Sequence, residues 1–419
     1  MDGIHIHPHD ILDEGSATIL SHLNQIKGIR YIFPQVNTIF ERNPYPVGKL
    51  THNPVHEVVM GNGTLHANIK VSSKLYQREP TFEEKQDPLA LFKLATNDTD
   101  YEVIPWVNIF NGDFLGNVEE NAVINVAGEK VDDWLCPNGP NVLEMWTEVF
   151  TLLIKKYDYH TFMIDRIRFP DWAGKTVEPS RMFSCFCPHC LEKMAQTGIN
   201  NAALIEEIHR ITEAIQRKAY SQALQMFHNS AQIKQWVTFR QQSVSQFVKN
   251  LIANVQVFEP KARFWLDLWP PSYAWFLGQD YTELTKYASK LKHFPYHKLG
   301  GGADVQGLID VISSNDIEAD KAFQAFLQFF DIKQKITYQQ FKETGYTIDF
   351  VYQENAKVRE ISQPGTKIYS GIQMWNIDNE NLLEAVKAAR QSPADALLYY
   401  CYGWAELDHF QAIAKQYSK

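Results

Sequence analysis

The chain has 419 residues, 45% of them apolar, and its 40 basic side chains against 49 acidic ones give a formal net charge of −9. That length can bury a large core, and an acidic balance with no basic run interleaved with aromatics excludes nucleic acid as the main partner. No window reaches the ~18 uninterrupted apolar residues of a membrane span, so no membrane partner is expected.

The chain begins Met-Asp-Gly-Ile-His-Ile-His, with no basic region leading into a long apolar run. A cytoplasmic location is expected on that ground. Beyond it, short apolar runs alternate with longer amphipathic stretches, the pattern of βα units wound on a parallel sheet. In chain order the candidate strands are Gly3–His7, Ile29–Phe33, Glu102–Val107, Thr161–Asp165, Arg263–Leu268, His293–His297, Lys367–Met374 and Ala396–Tyr402. Eight is the number that a closed barrel requires, and such barrels take roughly 250 residues before insertions. The expected fold class is therefore α/β, a single (β/α)8 TIM barrel over residues 1–419.

Asn141–Tyr157 reads as a helix, with Val142, Leu143, Trp146, Val149, Phe150, Leu153 and Ile154 at helical spacing. Two insertions are expected on the C-terminal rim. The first, about 50–75, follows the second strand, and in it Val55–Val59 and Leu65–Val71 flank the hairpin signal Gly61-Asn62-Gly63. The second, about 172–258, follows the fourth strand and holds a cysteine cluster and two or three helices over Ala202–Phe258.

Catalytic groups of such barrels sit where strands end and βα loops begin. Asp165 closes the fourth candidate strand and precedes Arg166 and Arg168, two positive charges that would hold it or meet substrate beside it. That suits a nucleophile at an oxocarbenium-like transition state, against a structural ion pair. Asp267 closes the next strand between Trp265 and Trp269, an apolar setting that favours the neutral form a general acid needs. Its plainer alternatives are a helix cap or a hydroxyl ligand, and Asp304 and Glu406 are further candidates for the acid. His5, His7, Gln35, Asn37, Asn108, Gln373 and Asn376 lie at the other strand ends as candidate hydroxyl ligands. Trp106, Trp269, Trp375, Tyr402 and Trp404 are candidate stacking walls for sugar rings.

Three stretches, Phe162-Met-Ile-Asp-Arg-Ile-Arg-Phe-Pro170, Cys185-Phe-Cys-Pro-His-Cys190 and Cys136-Pro-Asn-Gly-Pro, resemble the glycosyl-hydrolase-like barrels of bacteria, distant relatives of the α-amylase and β-galactosidase barrels. The similarity extends to Trp236-Val-Thr-Phe-Arg240 and Gly371-Ile-Gln-Met-Trp375 and spans most of the chain. What the resemblance implies is a barrel acting on glycosides with Asp165 as nucleophile. In α-amylase-like barrels the acid is a Glu on the fifth strand, where this chain has Asp267. The expected activity is hydrolysis of small glycosides or oligosaccharides, with a carbohydrate as partner and no cofactor needed for the chemistry.

Five cysteines make a poor disulfide framework. Cys185, Cys187 and Cys190 are close enough in sequence to offer three thiolates to a soft metal, with Cys136 or His189 as a fourth ligand to a structural zinc. Cys401 reads as a small buried hydrophobe. Two rival functions remain at this level. His5 and His7 alternate so as to face the barrel interior, as in metal-dependent amidohydrolases, although the fifth strand brings no His and the eighth no Asp at its mouth. A carbohydrate-binding barrel without turnover would keep the same aromatic and amide rim.

Overall fold

The computed structural model describes residues 1–37, 48–49, 52, 57–58, 63–79, 86–172, 177–300 and 304–416. Nine strands form one curled parallel sheet: β1 (Asp2–Ile6), β2 (Ile29–Pro34), β3 (Glu102–Val103), β4 (Trp106–Asn108), β5 (Thr161–Asp165), β6 (Arg263–Leu268), β7 (Lys290–His293), β8 (Lys367–Gln373) and β9 (Ala396–Tyr400). Their spatial order is β3-β2-β1-β9-β8-β7-β6-β5-β4. The two ends of that order, β3 and β4, are pieces of one segment, 102–108, bent at Ile104 and Pro105. Hydrogen bonds continue across the bend, with Ile104 N donating to Ile32 O and Met163 N donating to Pro105 O, while Val36 N donates to Trp106 O. The sheet thereby returns on itself. The third candidate strand is thus two short ones, because Pro105 has no amide proton for the ladder.

Helices occupy every connection between successive strand positions. Outward strand residues such as Phe162, Ile164, Leu266 and Leu291 pack against them in the largest apolar cluster. Inward residues form a separate cluster of Phe33, Ile104, Trp106, Met163, Trp265, Tyr369, Ala396 and Leu398 that plugs the ring. The period-two alternation of a strand separates these two sets. Among the described residues no helix is long and apolar enough to cross a membrane.

Several boundaries differ from the sequence expectation. The sixth strand is Lys290–His293, not His293–His297. Pro295 cannot donate to a ladder, whereas Lys290 and Lys292 do sit on a strand, their ammonium groups over aromatic faces. The last strand stops at Tyr400, and Tyr402–Trp404 forms a turn of 3₁₀ helix. Leu65–Val71 is not a strand: Leu65 makes one antiparallel bridge to Asn37, and the proposed turn at 61–62 lies outside the described residues. Between β5 and β6 run three longer helices, Asn201–Gln216, Tyr220–Asn229 and Ala231–Phe258.

Gly371 on β8 faces the barrel interior, where a Cβ would meet His293 O at 2.7 Å, Phe294 Cα at 2.9 Å and the Lys292 stem at 3.1 Å. Gly371→Ala is expected to cost about 1–3 kcal/mol by overpacking. Urea unfolding monitored by circular dichroism measures it, and an unchanged midpoint would show that β7 and β8 can separate there.

Candidate active site at the barrel mouth

Met163 on β5 registers with Trp106 and Trp265, and Asp165 comes two residues later on the same inward face, paired with Asn108. The chain then turns sharply at Arg166, whose φ of +55° is uncommon for a residue with a side chain. That turn brings Arg166 N onto Asp165 Oδ1. Trp106 Nε1 donates to Asp165 Oδ2 at 3.1 Å, and Arg168 Nη1 lies 3.6 Å from Oδ1. Arg168 is itself buried. Its Nε and Nη2 donate to Asp171 Oδ2 at 3.0 and 2.9 Å, and its guanidinium lies 4.9 Å over the Trp269 ring. Burial pushes Arg168 down to about 10, so it stays cationic at neutral pH. Arg166 instead directs its guanidinium toward Asp171, with Nη1 at 3.6 Å.

On the neighbouring strand β6, Asp267 registers with Lys292 of β7, and Lys292 Nζ donates to Asp267 Oδ2 at 2.8 Å. Both side chains are almost wholly buried. Lys292 also lies over the rings of Phe294 at 4.6 Å, Tyr400 at 5.3 Å and Tyr296 at 5.6 Å, a setting that suits a cation. Asp267 Oδ1 has no hydrogen-bond partner. Burial pushes the Asp267 carboxyl up to about 7, and the negative field of Asp165 adds to it; Lys292 and Arg168 oppose the rise. The two carboxyls therefore feel each other across adjacent strands, whose axes are about 4.8 Å apart.

His5 closes the floor between them. Its ring stacks on Trp106 with centroids 4.2 Å apart, and its Nε2 lies 3.9 Å from Asp267 Oδ2 and 3.3 Å from Met163 Sδ. Burial holds His5 well below the usual imidazole range, with the charges of Lys292 and His7 acting in the same direction. Among the described residues His5 belongs to no group of three metal-ligating side chains. His7 does belong to one, with His9 and Asp10, whose ligand atoms lie within 4.8 Å of one another.

The remaining candidates divide. His7 and Trp404 meet at the mouth with ring centroids 6.1 Å apart, and Trp375 stands edge-on to Tyr296, Tyr400 and Trp404 at 5.0, 5.3 and 6.1 Å. Gln373 donates to Trp375 O at 3.0 Å and keeps Oε1 without a partner. Gln35 is buried at the end of β2, bridged to Trp106. Asn37 is committed to structure: its Nδ2 donates to Gln77 Oε1 and Asn108 O, and its Oδ1 accepts from Asn108 N. Asn108 returns a bond to Asn37 O and keeps one buried oxygen without a partner. Asn376 is exposed, its Nδ2 donating to Leu299 O at 3.3 Å. Tyr402 points away from the mouth, donating to Glu14 Oε2 at 2.8 Å and packing on Phe410 at 5.6 Å. Tyr400, two residues earlier and on the inward face, takes the wall position assigned to it.

Lys292, Tyr296, Tyr400 and Asp171 are absent from the sequence-based list. The alternation Ala396-Leu397-Leu398-Tyr399-Tyr400 carries the signal for Tyr400. Lys292 is hidden by the misplaced sixth strand.

Away from the mouth, the Sγ atoms of Cys136, Cys185, Cys187 and Cys190 all lie within 4.8 Å of one another, and all four residues are buried. Cys136, not His189, is the fourth member. Backbone N–H groups of Ile124 and Cys187 donate to Cys185 Sγ, Asn138 N donates to Cys136 Sγ, and Asn138 Nδ2 donates to Cys190 Sγ. Hydrogen bonds from Cys136 and its neighbours hold the Cys187 thiol well below its usual range, while burial pushes Cys136 up.

No family model matches the sequence, and no curated protein matches it. Solved structures do match the fold. The catalytic domain of β-amylase from Paenibacillus polymyxa superposes with a TM-score of 0.56 at 9% identity, over 99% of this chain and 97% of that one. A β-galactosidase from the psychrophilic Marinomonas ef1 gives 0.53 at 9% identity, over 100% of this chain and 59% of that one. A cold-adapted β-galactosidase from Rahnella sp. R3 gives 0.50 at 11% identity, with coverages of 100% and 55%. The chain thus spans little more than half of the β-galactosidases it resembles. At these identities the likeness establishes a fold shared with glycoside-hydrolase barrels.

Proposed function

We propose that this protein hydrolyses glycosidic bonds of small glycosides or oligosaccharides by a retaining, two-carboxylate mechanism. The observation that carries the reading is Asp267: a buried carboxyl pushed up to about 7, with one oxygen free of partners, one strand from a second inward-facing carboxylate. Environments that push two carboxyls apart in pKa are how one site runs acid and nucleophile chemistry together. In the first step an Asp165 oxygen bonds to the anomeric carbon as the glycosidic C–O bond breaks. The electron pair goes to the leaving oxygen, which takes the Asp267 proton. In the second, Asp267 accepts a proton from water as that water displaces Asp165. Trp106 and Arg168 position the nucleophile, Gln373 and Asn108 offer unpartnered acceptors to sugar hydroxyls, and Trp375, Trp404 and Tyr400 form the stacking wall.

The cysteine group supports a structural zinc held by Cys136, Cys185, Cys187 and Cys190. Four thiolates at a Zn–S distance of about 2.3 Å would sit at tetrahedral corners roughly 3.8 Å apart, and the gathered sulfurs already approach that spacing: Cys136 Sγ lies 3.4 Å from Cys190 Sγ and 3.7 Å from Cys187 Sγ. The N–H groups that point at these sulfurs are the outer-shell donors such a centre requires. Bound there, zinc would cross-link the loop at 136 to the loop at 185–190. Elemental analysis of the purified protein should find one zinc per chain, lost in Cys190→Ser; a metal content near zero in the wild type removes this assignment.

On a panel of 4-nitrophenyl glycosides, Asp267→Asn should lower kcat by about 10²–10⁴-fold. Asp165→Asn should abolish turnover and leave sugar affinity by calorimetry nearly unchanged. Full activity in either variant sinks the mechanism. Sugar binding with no turnover in the wild type would favour the binding-barrel reading.

The pH profile offers a separate check. Asp267 must be protonated to act as acid, so kcat/KM should fall as pH rises through about 7. Lys292 favours the charged carboxylate, so Lys292→Met raises the Asp267 pKa and moves the alkaline limb to higher pH. An alkaline limb that stays in place would mean that another group titrates there.

A further inference from the structure

The helix Ala231–Phe258 carries Arg240 into the space between the cysteine loops and the barrel mouth. The residue is wholly buried. Its guanidinium lies 4.5 Å from the Trp236 ring, 4.6 Å from Phe169 and 5.3 Å from Phe276. One N–H group, Nη1, donates to Phe276 O at 2.7 Å, whereas Nε and Nη2 have no hydrogen-bond partner. Among the described residues no carboxylate forms an ion pair with it. The charges that favour its cationic form are those of the Cys185 and Cys190 sulfurs.

A cation fully removed from water with no compensating negative charge is among the costliest arrangements that a core can hold. Neutral thiols do not supply that compensation. A divalent metal on four thiolates does, because two positive and four negative charges leave the centre dianionic. The same helix is tied to the cluster a second time: Asn138 Nδ2 donates both to Cys190 Sγ at 3.4 Å and to Ser243 Oγ at 2.9 Å. Trp236 faces Phe183 and Phe186 of the cysteine loop, with centroids 6.4 and 6.3 Å away.

We infer that Arg240 is the buried counter-ion of a dianionic tetrathiolate metal centre and a positioning residue that links this centre to the Arg168 loop. The inference rests on the zinc reading above. The link runs through Phe169, which follows Arg168, stacks under Arg240 and donates its N–H to Leu277 O at 2.9 Å. Gly278 lies against the same ring, where a Cβ would meet Phe169 at 3.0 Å and Arg240 O at 3.2 Å. Arg168 in turn reaches Asp165. A metal centre that holds Arg240 therefore holds the backbone that aims the guanidinium at the nucleophile.

The test reads metal retention. Zinc-reconstituted wild type, Arg240→Met and Arg240→Lys are challenged with excess chelator, and released zinc is followed by a colorimetric indicator. Arg240→Met keeps the length of the side chain without its charge and should bind zinc about 10- to 100-fold more weakly, with correspondingly faster release. Arg240→Lys keeps the charge and should release zinc at close to the wild-type rate. A folded Arg240→Met with unchanged stoichiometry and release overturns the counter-ion role while leaving the zinc reading intact. A wild type that takes up no zinc overturns both. If Arg240→Met does not fold, Arg240→Lys decides: release much faster than from the wild type shows that charge is not what the centre needs.

Discussion

A parallel sheet leaves unpaired backbone groups at both edges unless it returns on itself, and here one bent segment, 102–108, supplies both edges. Its first half pairs with β2 and its second half with β5. Trp106 lies at the start of that second half, and from there its indole does two things at once. It donates to Asp165 and it stacks flat on His5. The nucleophile candidate and the floor beneath it are therefore set by the same backbone bend that completes the ring. A change that loosened the bend would disturb both the barrel and its mouth.

Within that frame the two carboxyls acquire different characters from their neighbours alone. Asp165 accepts from Trp106 Nε1 and Arg166 N and faces the Arg168 guanidinium at 3.6 Å. Asp267 sits deeper, between the Lys292 ammonium and the field of Asp165, with one oxygen unbonded. Neither position would be special on an exposed loop, because water would level the difference. The aromatic lining of Trp375, Tyr296, Tyr400 and Trp404 keeps the local dielectric low enough for the contrast to persist.

The strands carrying Asp165 and Asp267 are legible in the sequence because each is an apolar run ended by a single acid, and strand order places them side by side. Lys292 is not legible for the complementary reason. A strand that reads Lys-Leu-Lys-His lacks the apolar period on its inward face, since its inward residues are lysines whose charges face an acid and aromatic rings. The run His-Phe-Pro-Tyr-His beyond it looks more strand-like and draws the assignment three residues too far. Tyr402 fails similarly: the chain leaves the strand after Tyr400, so alternation cannot be extended to it. Asn37 has the right residue type in the right place, yet its polar atoms are used within the fold. The cysteine group is partly legible, since three of its members are local. The approach of Cys136 from about fifty residues away, and of Arg240 behind it, comes only from tertiary packing.

The Asp267–Lys292 pair also bears on how this protein can change over evolutionary time. Two opposite charges buried in a barrel interior are commonly less favourable than a well-packed apolar pair of similar volume, by about 1–4 kcal/mol. A lineage under selection for robustness alone would drift toward Leu and Met at 267 and 292 and become a sturdier, inert barrel. Under the proposed mechanism the pair is kept for its chemistry, and paired loss of both charges in a relative would mark a lineage that no longer needs it.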